Sequence, residues 1–352
     1  MAAARRTARD ACPHSTAGRA HRHNARVGPG RSPQVRRRVV LRVAGAAGLG
    51  LALPGVSACT ASAPEPALVI AGGVAPGVYL SLAQTLAGIW AERPGLDPPR
   101  VLSTAGSGQN MEMLGSGQAQ LAISQIDVAE VYANRIDPGS PSAPRALARL
   151  YDDATHVVVR RDARFTRLAD LRGARVSIGP SGSGYQPIAA RLLDVAGVGV
   201  AGLGTRAELG LGDATDALRA GAIDAFFWSG GVPTDGVRAL AAQLPIRLLD
   251  LTDVLPRLRE RFPVYSVGTV PADTYGLPGP VSTLTVRNAL LVTAAMEADE
   301  ARALIEAAFQ AQPRLAAASP AAVTIDSRSA IGTQPIPLHP GAEEFYRSTK
   351  GY

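Results

Sequence analysis

From residue 68 onward the chain repeats one pattern: a short apolar run, a turn rich in Gly and Ser, then an amphipathic helix. LVIAGG (68–73) reads as a strand, and 78–93 as a helix with Leu82, Leu86, Ile89 and Trp90 on one face. RVLSTAG (100–106) and 121–126 read as strands around a short helix at 110–117. LARLYDD (147–153) and HVVVRRD (156–162) read as two strands separated by charged turn residues. A second block follows, with strands at 175–179, 224–228, 246–251, 265–270 and 284–293. Its helices are expected at 186–196, 213–220 and 297–312. Parallel strands need long crossovers, and helices supply them while covering both sheet faces. The alternation therefore predicts an α/β protein with mostly parallel strands. At 352 residues the chain exceeds what one hydrophobic core holds, so two lobes with a cleft between them are expected.

The front of the chain has a different character. The formal net charge is +7, yet residues 1–58 hold eleven Arg and one acid, Asp10, a net of +10, which leaves 59–352 at −3. A basic nucleic-acid-binding face is therefore not what the charge describes. Arg36, Arg37 and Arg38 precede an apolar run ending at Val56, too short and Gly-rich for a spanning helix, which reads as an export signal. RRVVLR (37–42) resembles a twin-arginine export motif. Val56-Ser57-Ala58-Cys59 resembles a bacterial lipobox, in which Cys59 is lipidated after cleavage, and TASAPEP (60–66) reads as a tether. The other cysteine, Cys12, lies in the leader, so the expected mature body has no disulfide, thiolate metal cluster or Cys nucleophile.

Four polar loops follow strands: 72–79, 104–110, 124–127 and 179–185. Ligands of open α/β sheets sit beyond the carboxyl ends of strands. Three of these loops open helices, whose free amides and positive dipole end suit an anion. Ser107, Ser181 and Ser183 are also ordinary helix caps, and both roles stay open. GPSGSGYQ lacks the Lys-Ser/Thr of a P-loop, and around Ser181 the string departs from G-x-S-x-G. The body holds only His156 and His339, neither with a metal-ligand spacing, so no catalytic set, metal or cofactor is expected. Asp127 either faces a ligand amino group or caps the next helix. The rings of Phe226, Phe227 and Trp228 read as core or as a pocket wall.

The order of motifs, Gly73 to Tyr79, STAGSGQNMEML, AISQIDVAE, HVVVRRD, LADLRGARVSIGPSGSG, AGAIDAFFWSGGVP and VPADTY, resembles the TAXI family of solute-binding proteins over nearly all of residues 67–310. These are extracytoplasmic receptors of one branch of the TRAP transporters. The resemblance implies a type II periplasmic-binding-protein fold, with residues 67–159 and 256–352 as one lobe and 160–255 as the other. It implies a small carboxylate such as glutamate, glutamine or a 2-oxo dicarboxylate as solute. Matched to this chain, the ligand-binding positions are Gly77, Tyr79, Ser107, Asn110, Gln125, Asp127, Ser181, Gly182, Ser183 and Gly184, with Tyr185 where the family often has Thr. Gly108-Gln109-Asn110 replaces the family's Val-Glu-Asn. Arg160 and Arg161 supplement the site or form a solvated pair. The expected protein is a monomeric lipoprotein outside the cell membrane that hands its solute to membrane subunits and is not an enzyme. The alternative is a ligand-sensing lipoprotein that presents its closed form to a signalling partner.

Overall fold

The computed structural model describes residues 68–75, 77–93 and 98–349. The export signal, Cys59 and the tether lie outside the described residues. Ten strands form one sheet. Along it run β2 (Arg100–Ser103), β1 (Val69–Gly73), β3 (Leu121–Gln125), β10 (Val281–Thr293), β4 (Pro144–Arg160), β7 (Ala225–Gly230), β5 (Arg175–Ser177) and β6 (Thr205–Ala207). β8 (Ile246–Leu248) pairs with β4, and β9 (Ser266–Val270) with β10. The outer groups β2-β1-β3 and β7-β5-β6 are each parallel within themselves, while the central strands β4 and β10 are antiparallel to each other, β10 running antiparallel to β3 and β4 antiparallel to β7.

β4 is the largest departure from the sequence reading. It is one strand of 17 residues where two were expected, and Asp152 and Asp153 lie inside it rather than in a turn. Both acids are satisfied enough to keep the ladder: Asp152 pairs with Arg149 at 2.7 Å, and Asp153 accepts from Gln125 at 2.9 Å. The first part of β4 pairs with β10, and from Ala154 onward it pairs with β7. At about 3.3 Å per residue such a strand crosses from one half of the molecule into the other. β10 does the same, meeting β9 early and β3 late.

Helices cover both faces. α1 (Val78–Ala91) buries Leu82, Leu86, Ile89 and Trp90, the face expected, and Trp90 Nε1 donates to Leu304 O of α8 (Ala298–Gln310). α2 (Ser107–Gly115) and α3 (Ile126–Ala133) lie on the opposite face with α4 (Tyr185–Val195). α5 (Leu211–Arg219) and α6 (Asp235–Gln243) pack the second half. α6, α7 (Leu255–Arg261), α9 (Gln312–Ala318) and α10 (Pro340–Thr349) were not expected from the sequence, because short helices of seven to ten residues leave little periodic signal.

One apolar layer is shared by both halves. It runs from Val69, Met111 and Ile126 to Val176, Ile188 and Leu192, whereas the opposite faces hold separate cores. Val270, Tyr275 and Leu277 belong to the second half's core with Leu218 and Val237. These three residues, assigned to the first lobe by the sequence reading, pack with the second half.

Candidate functional site

A cleft of about 970 Å³ opens where the two halves face each other. Its walls come from the loop before α1, the start of α2, the end of β3, the middle of β4, the loop before α4, the starts of α5 and α6, and 318–321. Of the expected ligand residues, Gly77, Tyr79, Ser107, Gln125, Ser183, Gly184 and Tyr185 line it.

The remaining four do not. Asn110 is fully buried beneath α2, where its Nδ2 donates to Ile123 O at 2.7 Å and its Oδ1 accepts from Thr104. Asp127 is buried away from the cleft and does not cap α3. Its carboxylate meets Arg191 at 2.6 Å and Tyr265 Oη at 2.7 Å, joining α3 to α4 inside the shared layer. Ser181 is exposed at the loop tip. Gly182 uses its carbonyl oxygen to accept from Gly108 N at 3.0 Å and Gln109 N at 3.3 Å.

That last contact changes the role of the two Gly-Ser-Gly loops. The N-terminal amides of α2, expected to hold an anion, already bind a backbone carbonyl from the other half. A Cβ on Gly108 would stand 2.9 Å from Gly182 O, so only Gly permits the approach, and Gly182 holds φ at +79°, a region other residues rarely adopt. Gly184 packs just as closely: a Cβ there would lie 2.1 Å from Gln125 Oε1 and 2.7 Å from Ser107 Oγ. The loops clasp each other across the halves. α5 and α6 carry their own acids, Asp213 and Asp235, in the first turn, where they complement the helix dipole. α1 opens on the cleft, with Gly77 extended as its N-cap and no side chain bonded to the cap.

The floor is a polar network built from both halves. Gln125 Nε2 donates to Asp153 Oδ2 at 2.9 Å and to Ser229 Oγ at 3.0 Å. Tyr79 Oη donates to Asn288 Oδ1 and shares a hydrogen bond with Ser107 Oγ at 3.2 Å. Asp153 is 3% exposed. Burial raises its carboxyl to about 6, against the opposing pull of the Gln125, Asn288 and Tyr151 side chains. Sequence reasoning missed it together with Tyr151 and Ser229. The available signal was a pair of acids inside an otherwise apolar strand.

Tyr185 fills the space above Gly179, whose positive φ of 95° and missing Cβ make room for the ring, and it meets Trp228 edge-on at 5.1 Å. Phe226 and Phe227 are core, and Trp228 is wall. Arg160 and Arg161 do not reach the cleft: one faces Asp162 at 3.4 Å and the other donates to Gly276 O at 3.0 Å. Arg238 is the cleft's basic side chain, and it is bonded to Asp235. His156 is spent structurally. Its Nδ1 faces Ala154 O at 2.9 Å, which fixes the proton there, and Nε2 accepts from Tyr275 Oη at 3.0 Å. Burial lowers its pKa to about 4, so it stays neutral. Tyr275 Oη in turn accepts from Thr234 N at 2.6 Å on the cleft rim. Among the described residues no group of three or more His, Cys, Asp or Glu is placed to hold a metal ion.

Two α/β halves joined by two crossing strands around a central cleft define a type II periplasmic-binding-protein fold. The NMT1-like family model matches residues 70–349, and the chain belongs to that family. The chain is also similar to solved structures. XAC2383 from Xanthomonas citri is 16% identical, covers 80% of this chain and 94% of its own, and gives a TM-score of 0.46. The periplasmic aliphatic sulphonate binding protein SsuA from Escherichia coli is 18% identical over 80% and 89%, with a TM-score of 0.43. The alkanesulfonate-binding protein SsuA from Xanthomonas axonopodis is 17% identical over 82% and 92%, at 0.45.

Proposed function

We propose that this protein is an extracytoplasmic solute-binding receptor that captures a small organic solute in the cleft and delivers it to a membrane transporter of the TRAP type, as the motif resemblance implies. The observation that carries this reading is the floor: Gln125 of one half bonds Asp153 on the crossing strand and Ser229 on the other half, so a solute seated there touches both halves at once. A solute closes such a molecule only by binding the closed form more tightly than the open one. The halves move as lobes divided within β4 and β10. An acidic group on the solute docks at the start of α1, whose amides face the cleft, and Cys59 carries the lipid that holds the receptor at the outer face of the membrane. Among the described residues no helix is long and apolar enough to cross a membrane.

The reading is tested by thermal-shift screening of the purified protein against carboxylates, sulfonates and amino acids. A true solute at 100 times its Kd stabilises the folded state by about 2.7 kcal/mol. A screen in which no small acid, amino acid or sulfonate raises Tm overturns the receptor reading.

A further inference from the structure

Asp153 is the unusual member of the floor. Its Oδ2 accepts a hydrogen bond from Gln125 and the Asn288 and Tyr151 side chains stand close enough to favour its charged form, while its Oδ1 is buried with no hydrogen-bond partner. No Arg or His lies within ion-pair distance of it among the described residues. Ser183 Oγ, on the opposite loop of the same cleft, is likewise buried and without a partner. A buried carboxylate with an open lone pair and no counter-ion is a costly arrangement that an incoming donor relieves. Tyr79, Tyr151, Tyr185 and Trp228 line the same cleft. The Asp153 charge is felt by both Tyr79 and Tyr151, so these rings stand near the carboxylate. Aromatic walls around an acid favour a cation, because ring faces attract positive charge. At the rim the balance is the same: Asp213 and Asp235 against Arg238.

We infer that the floor is an amine subsite, in which the unpartnered oxygen of Asp153 receives an N–H from a protonated amino group of the solute, with the Tyr and Trp rings around it. The subsite rests on the receptor reading above and narrows it: among small organic acids, those carrying a protonated amine are selected over their amine-free counterparts. Among the described residues no group in the cleft other than Arg238 offers a second anionic end a full positive charge, and Arg238 is already engaged by Asp235.

The test is isothermal titration of the wild-type protein and Asp153→Asn with matched pairs: L-glutamate and 2-oxoglutarate, L-alanine and pyruvate, 4-aminobutyrate and pentanoate. One charge-assisted hydrogen bond predicts that the amine member of a binding pair is held roughly tenfold to a hundredfold more tightly by wild type. Asp153→Asn is expected to remove most of that preference, read as the ratio of the two affinities within each pair. The wild-type comparison stands even if the variant does not fold. Equal affinities within pairs, or preference for the oxo acid, overturn the subsite and leave the receptor intact; a protonated Asp153 donating to a carbonyl would give the latter result. Failure of every member to bind overturns subsite and solute class together.

Discussion

Asp153 couples the site to pH. In the unfolded chain an Asp titrates near about 3.9, whereas burial holds this one up at about 6. Between those values the folded state binds the extra proton, so this group's contribution makes the empty protein less stable as pH rises through the window. The groups that face Asp153 are Gln125, Asn288 and Tyr151, with Tyr79 and Asp152 acting through their charges or dipoles, and none supplies a compensating cation. Urea unfolding of Asp153→Asn is expected to show a flatter profile from pH 4.5 to 7 and, at pH 7, greater stability than wild type by up to about 3 kcal/mol. Arg191 gives the opposite case. Removing it strands the fully buried Asp127 with only Tyr265, so Arg191→Met is expected to cost about 3–5 kcal/mol, and the pair Arg191→Met with Asp127→Leu should recover most of that. A single variant as stable as wild type by urea titration would contradict this account of the pair.

At the scale of elements, the contact between the α2 start and the loop before α4 holds the halves together. Gly108→Ala places a methyl group 2.9 Å from Gly182 O, and both atoms belong to segments with backbone on either side. Overpacking of this kind costs about 1–3 kcal/mol, and here it also frees the α2 amides that Gly182 O satisfies. The expected result is a lower Tm together with a larger radius of gyration by small-angle X-ray scattering in the empty protein. An unchanged radius would mean that the loops are not what keeps the halves close. The loops were legible in the sequence as Gly-Ser strings after strands. Their partners were not, because a Gly that makes room for a ligand and a Gly that makes room for another loop look identical along the chain. The partner of Asp127 was hidden for a related reason: a carboxylate at the start of a helix gives no sign that Arg191 will reach it.

For the whole molecule, the crossing strands β4 and β10 make relative movement of the halves a bend in two strands rather than a break in the sheet. A bound solute is expected to lower the radius of gyration of Gly108→Ala toward that of wild type, since bridging contacts replace the lost clasp. Anchoring is a separate property. Expressed in a bacterial host, the wild-type chain is expected in the membrane fraction and Cys59→Ala in the soluble fraction; the same distribution for both would remove the lipid anchor from the proposal.

Local periodicity by itself determined the α/β class of this protein: the alternation of strands and helices, and the buried face of α1, follow from side chains spaced two or 3.6 residues apart. It also determined that Gly- and Ser-rich turns end the strands. Only the tertiary structure decided that β4 runs unbroken through Asp152 and Asp153, that two of the turns close on each other, and that the cleft floor centres on a buried acid. Those outcomes depend on groups brought together from distant parts of the chain, where burial sets whether a polar atom is a cap, a clasp or an unmet valence.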